Sequence, residues 1–157
     1  MVLPVIMVPE LATAARLRGG WSWERYGLID RGSYEVAHAI DEPELADVAV
    51  RAASRAMNRE LRFGEARALR LSPGDYLLAH HDRVYEGFPV EVMFDLSELE
   101  VPGAAVHYRR RGNVFFVFPS QPGAVSIVER GPTVTCNHTY VSKRQSATVT
   151  RVVMLLW

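Results

Sequence analysis

The sequence predicts a mainly β fold, a double-sheet jelly roll with flanking helices, and the prediction rests on the pattern that begins at Phe63. From there onward, short runs rich in Val, Phe, Leu and Thr alternate with turns that contain Gly and Pro, which is typical of an all-β domain. Eight such runs are present, and eight antiparallel strands form a double-sheet jelly roll. The predicted strands are Ala66–Leu71, Tyr76–Asp82, Val90–Leu96, Ala104–Arg109, Asn113–Phe118, Ala124–Glu129, Thr133–Val141 and Ala147–Trp157.

The first 62 residues are expected to pack on this β core, so that 1–62 and 63–157 form a single domain. Asp41-Glu42-Pro43-Glu44 has the form of a capping box. Apolar residues recur after it at helical spacing, so a helix is expected to begin there. The other expected elements are a strand over Met1–Val8, a short helix over Pro9–Arg18 that ends at Gly19-Gly20, and a strand over Tyr34–Ile40.

The charged residues balance, with 18 Lys and Arg against 18 Asp and Glu in 157 residues. Nucleic acid and anionic membranes are therefore not expected as partners, because polyanion binding requires an excess of positive charge. A small molecule or another protein is expected instead. Cys136 is the single cysteine. A lone thiol together with the absence of a signal sequence or membrane span predicts a cytoplasmic protein.

A histidine and a carboxylate are spaced for one face of a predicted strand. His80 and Asp82 are separated by one residue, and residues i and i+2 share a strand face. With one more imidazole they would form the face of two histidines and one carboxylate that holds non-haem Fe(II) and leaves positions open for oxygen. The candidates for the third ligand are His38, His107 and His138. Of these, His138 is the best placed, on a strand far along the chain from His80.

Arg151 is the second unusual residue, because both faces of its predicted strand are apolar. A buried guanidinium without an anion would cost several kcal/mol, on the order of a broken buried ion pair. A partner is therefore expected, either a protein carboxylate or a bound one. The planar fork of arginine suits a carboxylate through two parallel hydrogen bonds, and a dicarboxylic cosubstrate would provide that group.

In the order and spacing of these residues the chain resembles the Fe(II)- and 2-oxoglutarate-dependent dioxygenases, particularly their prolyl-hydroxylase-like branch. The resemblance spans about Phe63–Trp157 and consists of matching segments. Gly74–Asp82 resembles the strand with the His-x-Asp motif, Val90–Ser97 the strand after it, and Arg111–Ser120 the segment that enters the second half of the core. Asn137-His138 stands where the distal metal histidine would be, and Thr150–Trp157 resembles the final strand with its cosubstrate-binding arginine.

The resemblance implies a double-stranded β-helix in which His80, Asp82 and His138 hold Fe(II) and Arg151 holds 2-oxoglutarate. The implied reaction consumes O2, decarboxylates 2-oxoglutarate to succinate and hydroxylates a C–H bond of an amino-acid-like small molecule or a peptidyl side chain. Arg144, in the preceding loop, competes with Arg151 as the cosubstrate ligand. Tyr76 is a further candidate contact to the cosubstrate, and Arg83, Tyr85 and Glu86 are candidate substrate contacts on the loop that follows.

Two other functions are compatible with a jelly roll. One is a cupin-type metalloprotein, although no histidine lies near the Pro119-Ser-Gln-Pro-Gly123 segment where a cupin would carry one. The other is a binding module without catalysis, which would tolerate loss of Asp82. Whether an exposed strand edge pairs with a second copy of the chain stays open.

Overall fold

The computed structural model describes residues 3–80 and 86–157, with the backbone alone at positions 10, 13 and 80. This part of the chain is mainly β, as the sequence predicts. Its elements are β1 (Val5–Met7), α1 (Glu10–Ala14), β2 (Glu24–Leu28), β3 (Gly32–Ala37), α2 (Pro43–Met57), β4 (Phe63–Leu71), β5 (Tyr76–His80), β6 (Val90–Asp95), β7 (Ala105–Arg110), β8 (Asn113–Pro119), β9 (Val125–Glu129), β10 (Val134–His138) and β11 (Val149–Leu156).

The strands form two antiparallel layers that β3 joins into a nearly closed barrel. One layer has the order β1-β9-β6-β11-β4, and the other has the order β5-β10-β7-β8. β3 pairs with β4 through Glu35–Ala37 and with β5 through Gly32 and Ser33. This is the predicted jelly roll, a double-stranded β-helix, and the eight predicted strands correspond to β4 through β11.

Two apolar cores lie on the two faces of the first layer. Helix α2 packs Leu45 and Ala49 against one face, together with Val92 and Phe94 of β6. The barrel interior is the second core, and it contains Met93. Along β11, Val152, Met154 and Leu156 belong to the helix side and Val149, Val153 and Leu155 to the interior. The last strand is therefore buried on both faces, as expected from its sequence.

Helix α2 begins where the sequence predicts, but the predicted capping box does not form. The N-cap is Glu42, and no side chain caps the first turn. Glu42 is buried and instead accepts hydrogen bonds from the backbone N–H groups of Arg18 and Gly19 and from Trp21 Nε1. The carboxylates of the predicted box are also used by the segment before β2, because Asp41 accepts a hydrogen bond from Arg18 Nη1 and Glu44 accepts one from the backbone N–H of Arg16. No helix in the described residues is long and apolar enough to cross a membrane.

The N-terminal region contains a strand that the sequence did not predict. β2 pairs along β3 to form a hairpin, with Tyr26 opposite Tyr34. Four of the five β2 residues are exposed, so the alternation that marks a half-buried strand is missing there. Helix α1 is shorter than predicted and ends at Ala14, with Ala15 as its C-cap. Gly19 and Gly20 both have positive φ, but the predicted helix stop at these glycines is wrong.

Candidate functional site

The two strands predicted to carry metal ligands are hydrogen-bonded neighbours within one layer. β5 ends at His80, whose Cα is opposite Cys136 of β10, and His138 is opposite Leu77. Between these two pairs, Leu78 and Ala79 of β5 oppose the single Asn137 of β10, a local irregularity in the register. In a double sheet, strands this distant in sequence can meet across the interior, with their side chains facing each other. They instead meet side by side, which brings the backbone of His80 close to that of His138.

Several predicted residues of the site fall outside the described part of the chain. These are Asp82, Arg83 and Tyr85, and for His80 only the backbone is described. Glu86 is exposed where the described chain resumes. The Tyr76 hydroxyl donates to the Ile29 carbonyl at 3.0 Å, so in this structure its hydrogen bond goes to the hairpin turn.

His138 lies in the barrel interior at the end of β10. Only 3% of its surface is exposed, and it lines a cavity of about 150 Å³ together with Cys136 and Leu77. Of the other two candidate histidines, His38 is exposed after β3. His107 lies between Val106 and Tyr108, which both point into the interior, and strand alternation therefore places His107 on the opposite face.

Arg151 is a deeply buried charge of the candidate site. It follows Val149 on the interior face of β11 and is 1% exposed. Its Nη1 donates to His138 Nδ1 at 2.9 Å. Its Nε and Nη2 are buried without a hydrogen-bond partner. Burial lowers the pKa of Arg151 to about 10, and the charge of Asp95 opposes that lowering.

Asp95 is opposite Arg151 on β6 and is completely buried, but its oxygens are already bonded. They accept backbone N–H groups of Ser97 at 2.9 Å and Gln121 at 2.7 Å. Arg151 therefore has a nearby negative charge and still has two N–H-bearing nitrogens to satisfy. These unsatisfied donors fit a bound carboxylate, which accepts two parallel hydrogen bonds from a guanidinium. Arg144, the competing candidate, is exposed in the loop before β11.

Of the three side chains predicted to bind metal, the structure describes only that of His138. Among side chains that the structure describes, no group of three His, Cys, Asp or Glu residues is arranged to hold a metal. His138 is a suitable donor, since a neutral imidazole is a common ligand for iron. The other two predicted ligands are His80 and Asp82, and a complete ligand set depends on them.

A buried polar cluster in the same interior escaped the sequence analysis. Glu91 of β6 is 2% exposed, and its two oxygens accept hydrogen bonds from Tyr108 Oη at 2.5 Å and Arg130 Nη1 at 2.8 Å. Burial, followed by the charge of Glu91, raises the pKa of Tyr108 well above its usual range. A glutamate inside the otherwise apolar run Val90–Phe94 was the signal available in the sequence.

The β2–β3 hairpin completes the wall of the cavity. Tyr26, Arg31 and Tyr34 line it from the hairpin, and Arg67 lines it from β4. The rings of Tyr26 and Tyr34 lie with their centroids 4.9 Å apart. The N-terminal region therefore takes part in the site as well as packing on the core.

Comparisons with known proteins give matches in structure. No family model matches the sequence, and no curated protein does. A 2OG-Fe(II) oxygenase family oxidoreductase from Burkholderia pseudomallei aligns with a TM-score of 0.74 and 14% identity, over 98% of this chain and 84% of its own. The α-ketoglutarate-dependent epimerase SnoN from nogalamycin biosynthesis aligns at 0.69 and 13%, over 98% and 77%.

A third structure, OsALKBH1, aligns at 0.66 and 11% identity, over 99% of this chain and 98% of its own. These alignments cover nearly the whole chain, including the hairpin and α2. At such low identity they establish the fold, and they support the resemblance drawn from the His-x-Asp motif, His138 and Arg151. The chain has the double-stranded β-helix fold of the 2OG-Fe(II) oxygenases.

Proposed function

We propose that this protein is an Fe(II)- and 2-oxoglutarate-dependent oxygenase that hydroxylates a C–H bond of an amino-acid-like small molecule or a peptidyl side chain. The observation that carries the proposal is the buried Arg151 guanidinium, which has two nitrogens without a partner and lies 2.9 Å from His138. A buried cation with unused donors costs stability. A carboxylate bound there would accept hydrogen bonds from these donors and so remove the cost.

In this proposal His80, Asp82 and His138 hold the iron, and Arg151 holds the distal carboxylate of 2-oxoglutarate. Bound iron together with 2-oxoglutarate and O2 supplies the oxidising chemistry, with decarboxylation to succinate. Arg151 binds and orients the keto acid through its planar fork. The apolar interior around Met93 and Val153 excludes water and strengthens the charge interaction.

The bond between Arg151 and His138 has a consequence for loading. A guanidinium only donates hydrogen bonds, so Nδ1 of His138 accepts this one, and a neutral ring then carries its proton on Nε2. To hold iron, His138 would have to present a ring nitrogen whose lone pair is free for the metal. A carboxylate beside Arg151 would give the guanidinium another acceptor. Binding of the keto acid carboxylate to Arg151 would therefore allow His138 Nδ1 to give up this hydrogen bond.

The first experiment adds Fe(II) and then 2-oxoglutarate to metal-free protein without oxygen, and follows the weak visible charge-transfer band of a chelated keto acid. We expect the band in the wild type and in His107→Ala, the control on the outer face of β7. His138→Ala should lose the band. Arg151→Ala should require at least about 30-fold more 2-oxoglutarate, the equivalent of about 2 kcal/mol.

Three outcomes would contradict the proposal or its assignment of Arg151. Iron uptake by folded wild-type protein without a band would indicate a metal site of another kind, as in a cupin-type metalloprotein. No iron uptake at all would favour a jelly-roll binding module. An equal band in Arg151→Ala and the wild type would remove Arg151 from the site and direct attention to Arg144.

The outcome of the reaction needs its own measurement. Proteins with this fold include enzymes described as an epimerase and a carbocyclase, so hydroxylation is proposed from the resemblance and the His-x-Asp motif. Product analysis under ¹⁸O₂ separates these outcomes. Hydroxylation predicts one labelled oxygen in the product. A changed product without label would indicate another reaction at the same site, such as epimerisation or ring closure.

A further inference from the structure

A second concave site lies on the other face of the first layer, between helix α2 and the N-terminal segment. It is a groove of about 380 Å³ that shares no lining residue with the cavity at His138. Val5, Met7, Pro9 and Leu11 form one wall, and α2 forms the other. Met7 packs on the helix-side core, so the first layer separates this groove from the barrel interior. We call it the α2 groove.

The lining of the α2 groove is apolar except for two arginines. Val48, Ala52 and Ala56 line it from α2, each about one helical turn after the last. Val48 is buried, while Ala52 and Ala56 are partly buried. Arg51 and Arg55 supply the only charged side chains among the described residues that line the groove. Small-molecule pockets have this composition, an apolar lining with few polar groups, and volumes of about 300–1,000 Å³.

The two arginines are placed to act together on one anion. Arg51 and Arg55 are both exposed, and residues four apart on a helix have their Cβ atoms roughly 5–6 Å from each other. Arg51 Nε donates to the backbone carbonyl of Asp47 at 3.3 Å, a bond within the helix that involves no carboxylate. Neither arginine has an ion pair with a side chain that the structure describes. Both guanidinium groups therefore have donors left for a ligand in the groove.

The acidic side chains near the start of α2 lie beyond the groove. Glu44 and Asp47 line a smaller adjoining cavity towards the first turn of the helix. Glu44 already accepts a hydrogen bond from the backbone N–H of Arg16. For Glu10 the structure describes the backbone alone. Among the described side chains, the charge that lines the α2 groove itself is positive.

We propose that the α2 groove binds a medium-chain carboxylic acid, whose hydrocarbon chain lies between the N-terminal segment and α2 and whose carboxylate bonds to Arg51 and Arg55. Arginine suits a carboxylate because its planar fork donates two parallel hydrogen bonds. A hydrocarbon chain requires apolar contact only, which the rest of the lining supplies. The site uses no residue of the interior cavity, so this inference does not rest on the proposed function.

The test compares acids of different chain length with matched alcohols. Octanoate, decanoate, 1-octanol and 1-decanol are titrated against the full chain without metal, below the concentrations at which the acids form micelles, and binding is followed by calorimetry or ligand-observed NMR. Each methylene that the groove buries strengthens binding by up to about 4-fold. Decanoate should therefore bind several-fold more tightly than octanoate, and about 10-fold more tightly than 1-decanol.

Three variants assign this binding to the groove. The Arg51→Gln/Arg55→Gln double variant should weaken decanoate binding at least about 5-fold and leave 1-decanol binding unchanged. Ala52→Leu occupies part of the groove and should weaken the acid and the alcohol alike. Arg62→Gln is the matched control, because Arg62 is exposed and lies over Trp157 away from the groove. Circular dichroism checks folding, and the arginine variants change exposed side chains only.

Arg151→Met separates the α2 groove from the interior cavity and should bind decanoate as the wild type does. Decanoate binding that is lost in Arg151→Met, or that survives unchanged in the Arg51→Gln/Arg55→Gln double variant, would overturn the inference. No binding of decanoate at millimolar concentration would overturn it as well. So would a dimer in sedimentation experiments that Ala52→Leu dissociates and decanoate does not, because a second copy of the chain would then cover the groove.

Discussion

At the scale of single residues, the site is defined by charges that the barrel buries. Arg151 is 1% exposed and has two nitrogens without a partner, while Glu91 has both oxygens bonded. The two residues face the same interior, yet one is satisfied and the other is not. A satisfied buried polar group supports the structure, and an unsatisfied one costs stability. On this basis we assign Glu91 to the maintenance of the fold and propose Arg151 as a ligand-binding residue.

Arg151→Met is therefore expected to stabilise the protein in the absence of cosubstrate. An apolar side chain of similar length removes two buried donor nitrogens without a partner, and an unsatisfied buried polar group costs about 1–3 kcal/mol. Asp95 remains bonded to two backbone N–H groups, so it loses little stabilisation when the nearby charge of Arg151 is removed. Thermal unfolding should occur at a higher temperature, by about 2–4 °C for each kcal/mol. A large decrease would show that the guanidinium supports the fold.

Tyr108→Phe is expected to have the opposite effect. It removes a donor from Glu91, and leaving a buried carboxylate oxygen unsatisfied costs about 1–3 kcal/mol. Tyr140→Phe, at an exposed tyrosine, is the control and should change stability by less than about 0.5 kcal/mol. Denaturant titrations of the two variants and the wild type make the comparison. Equal stability of all three would mean that the bond to Glu91 contributes nothing.

Comparison of the wild type with Tyr108→Phe also tests the raised pKa of Tyr108. A tyrosine whose pKa is higher in the folded than in the unfolded state stabilises the fold below the unfolded value of about 10, and this contribution is lost as the pH rises further. The stability difference between wild type and Tyr108→Phe should therefore shrink above pH 10. A constant difference from pH 8 to pH 11 would contradict the direction of the shift.

At the scale of elements, β3 joins the two layers, and Gly32 is the residue that permits the close approach. A Cβ built on Gly32 would lie 2.7 Å from the Tyr76 carbonyl oxygen and 3.2 Å from Leu77 Cα. Both neighbours are backbone atoms of β5, which cannot move aside as the end of a side chain would. The contact between the hairpin and β5 thus depends on the absence of a side chain at Gly32.

Gly32→Ala is expected to destabilise the protein by about 1–3 kcal/mol, the usual cost of overpacking. Gly27→Ala is the matched control in the same hairpin, because nothing lies within 4 Å of a Cβ there. It should be neutral or stabilising by up to about 1 kcal/mol. Unfolding midpoints measure both effects. If Gly32→Ala were as stable as Gly27→Ala, the contact between β3 and β5 would not require the absence of a side chain at Gly32.

At the scale of the whole molecule, the barrel brings residues from the β2–β3 hairpin and from the last two strands to one interior. The hairpin contributes Tyr26 and Tyr34, β10 contributes His138, and β11 contributes Arg151. A ligand that contacts several of these residues binds the folded chain only. Ligand binding should then stabilise the whole protein by mass action.

Fe(II) with 2-oxoglutarate, added without oxygen at about 100 times the dissociation constant, is expected to stabilise the wild type by about 2.7 kcal/mol. This corresponds to an increase of roughly 5–10 °C in the unfolding temperature for a chain of this size. In Arg151→Met, the part of the increase that depends on 2-oxoglutarate should disappear. An equal increase in both proteins would place the keto acid somewhere else.

The sequence alone predicted the jelly roll and the position of Arg151, because both depend on local patterns. Eight apolar runs with turns between them indicated β4 through β11, and the two apolar faces of the last strand indicated that its arginine would be buried. Periodicity along a chain reports which residues leave water, and β11 followed that rule at each interior position. The spacing of His80 and Asp82 gave a metal hypothesis for the same reason.

Only the tertiary structure decided which buried groups meet. Glu91 is 17 residues from Tyr108 and 39 from Arg130, and nothing in the sequence pairs them, because the pairing depends on strand register. β2 was missed because its residues are mostly exposed, and with it the tyrosines of the cavity wall were missed as cavity residues. The capping box does not form because Arg18 and Arg16, in a distant segment, bond to the carboxylates of Asp41 and Glu44. Local pattern determines burial, whereas contact between distant residues is decided by the packing of the complete barrel.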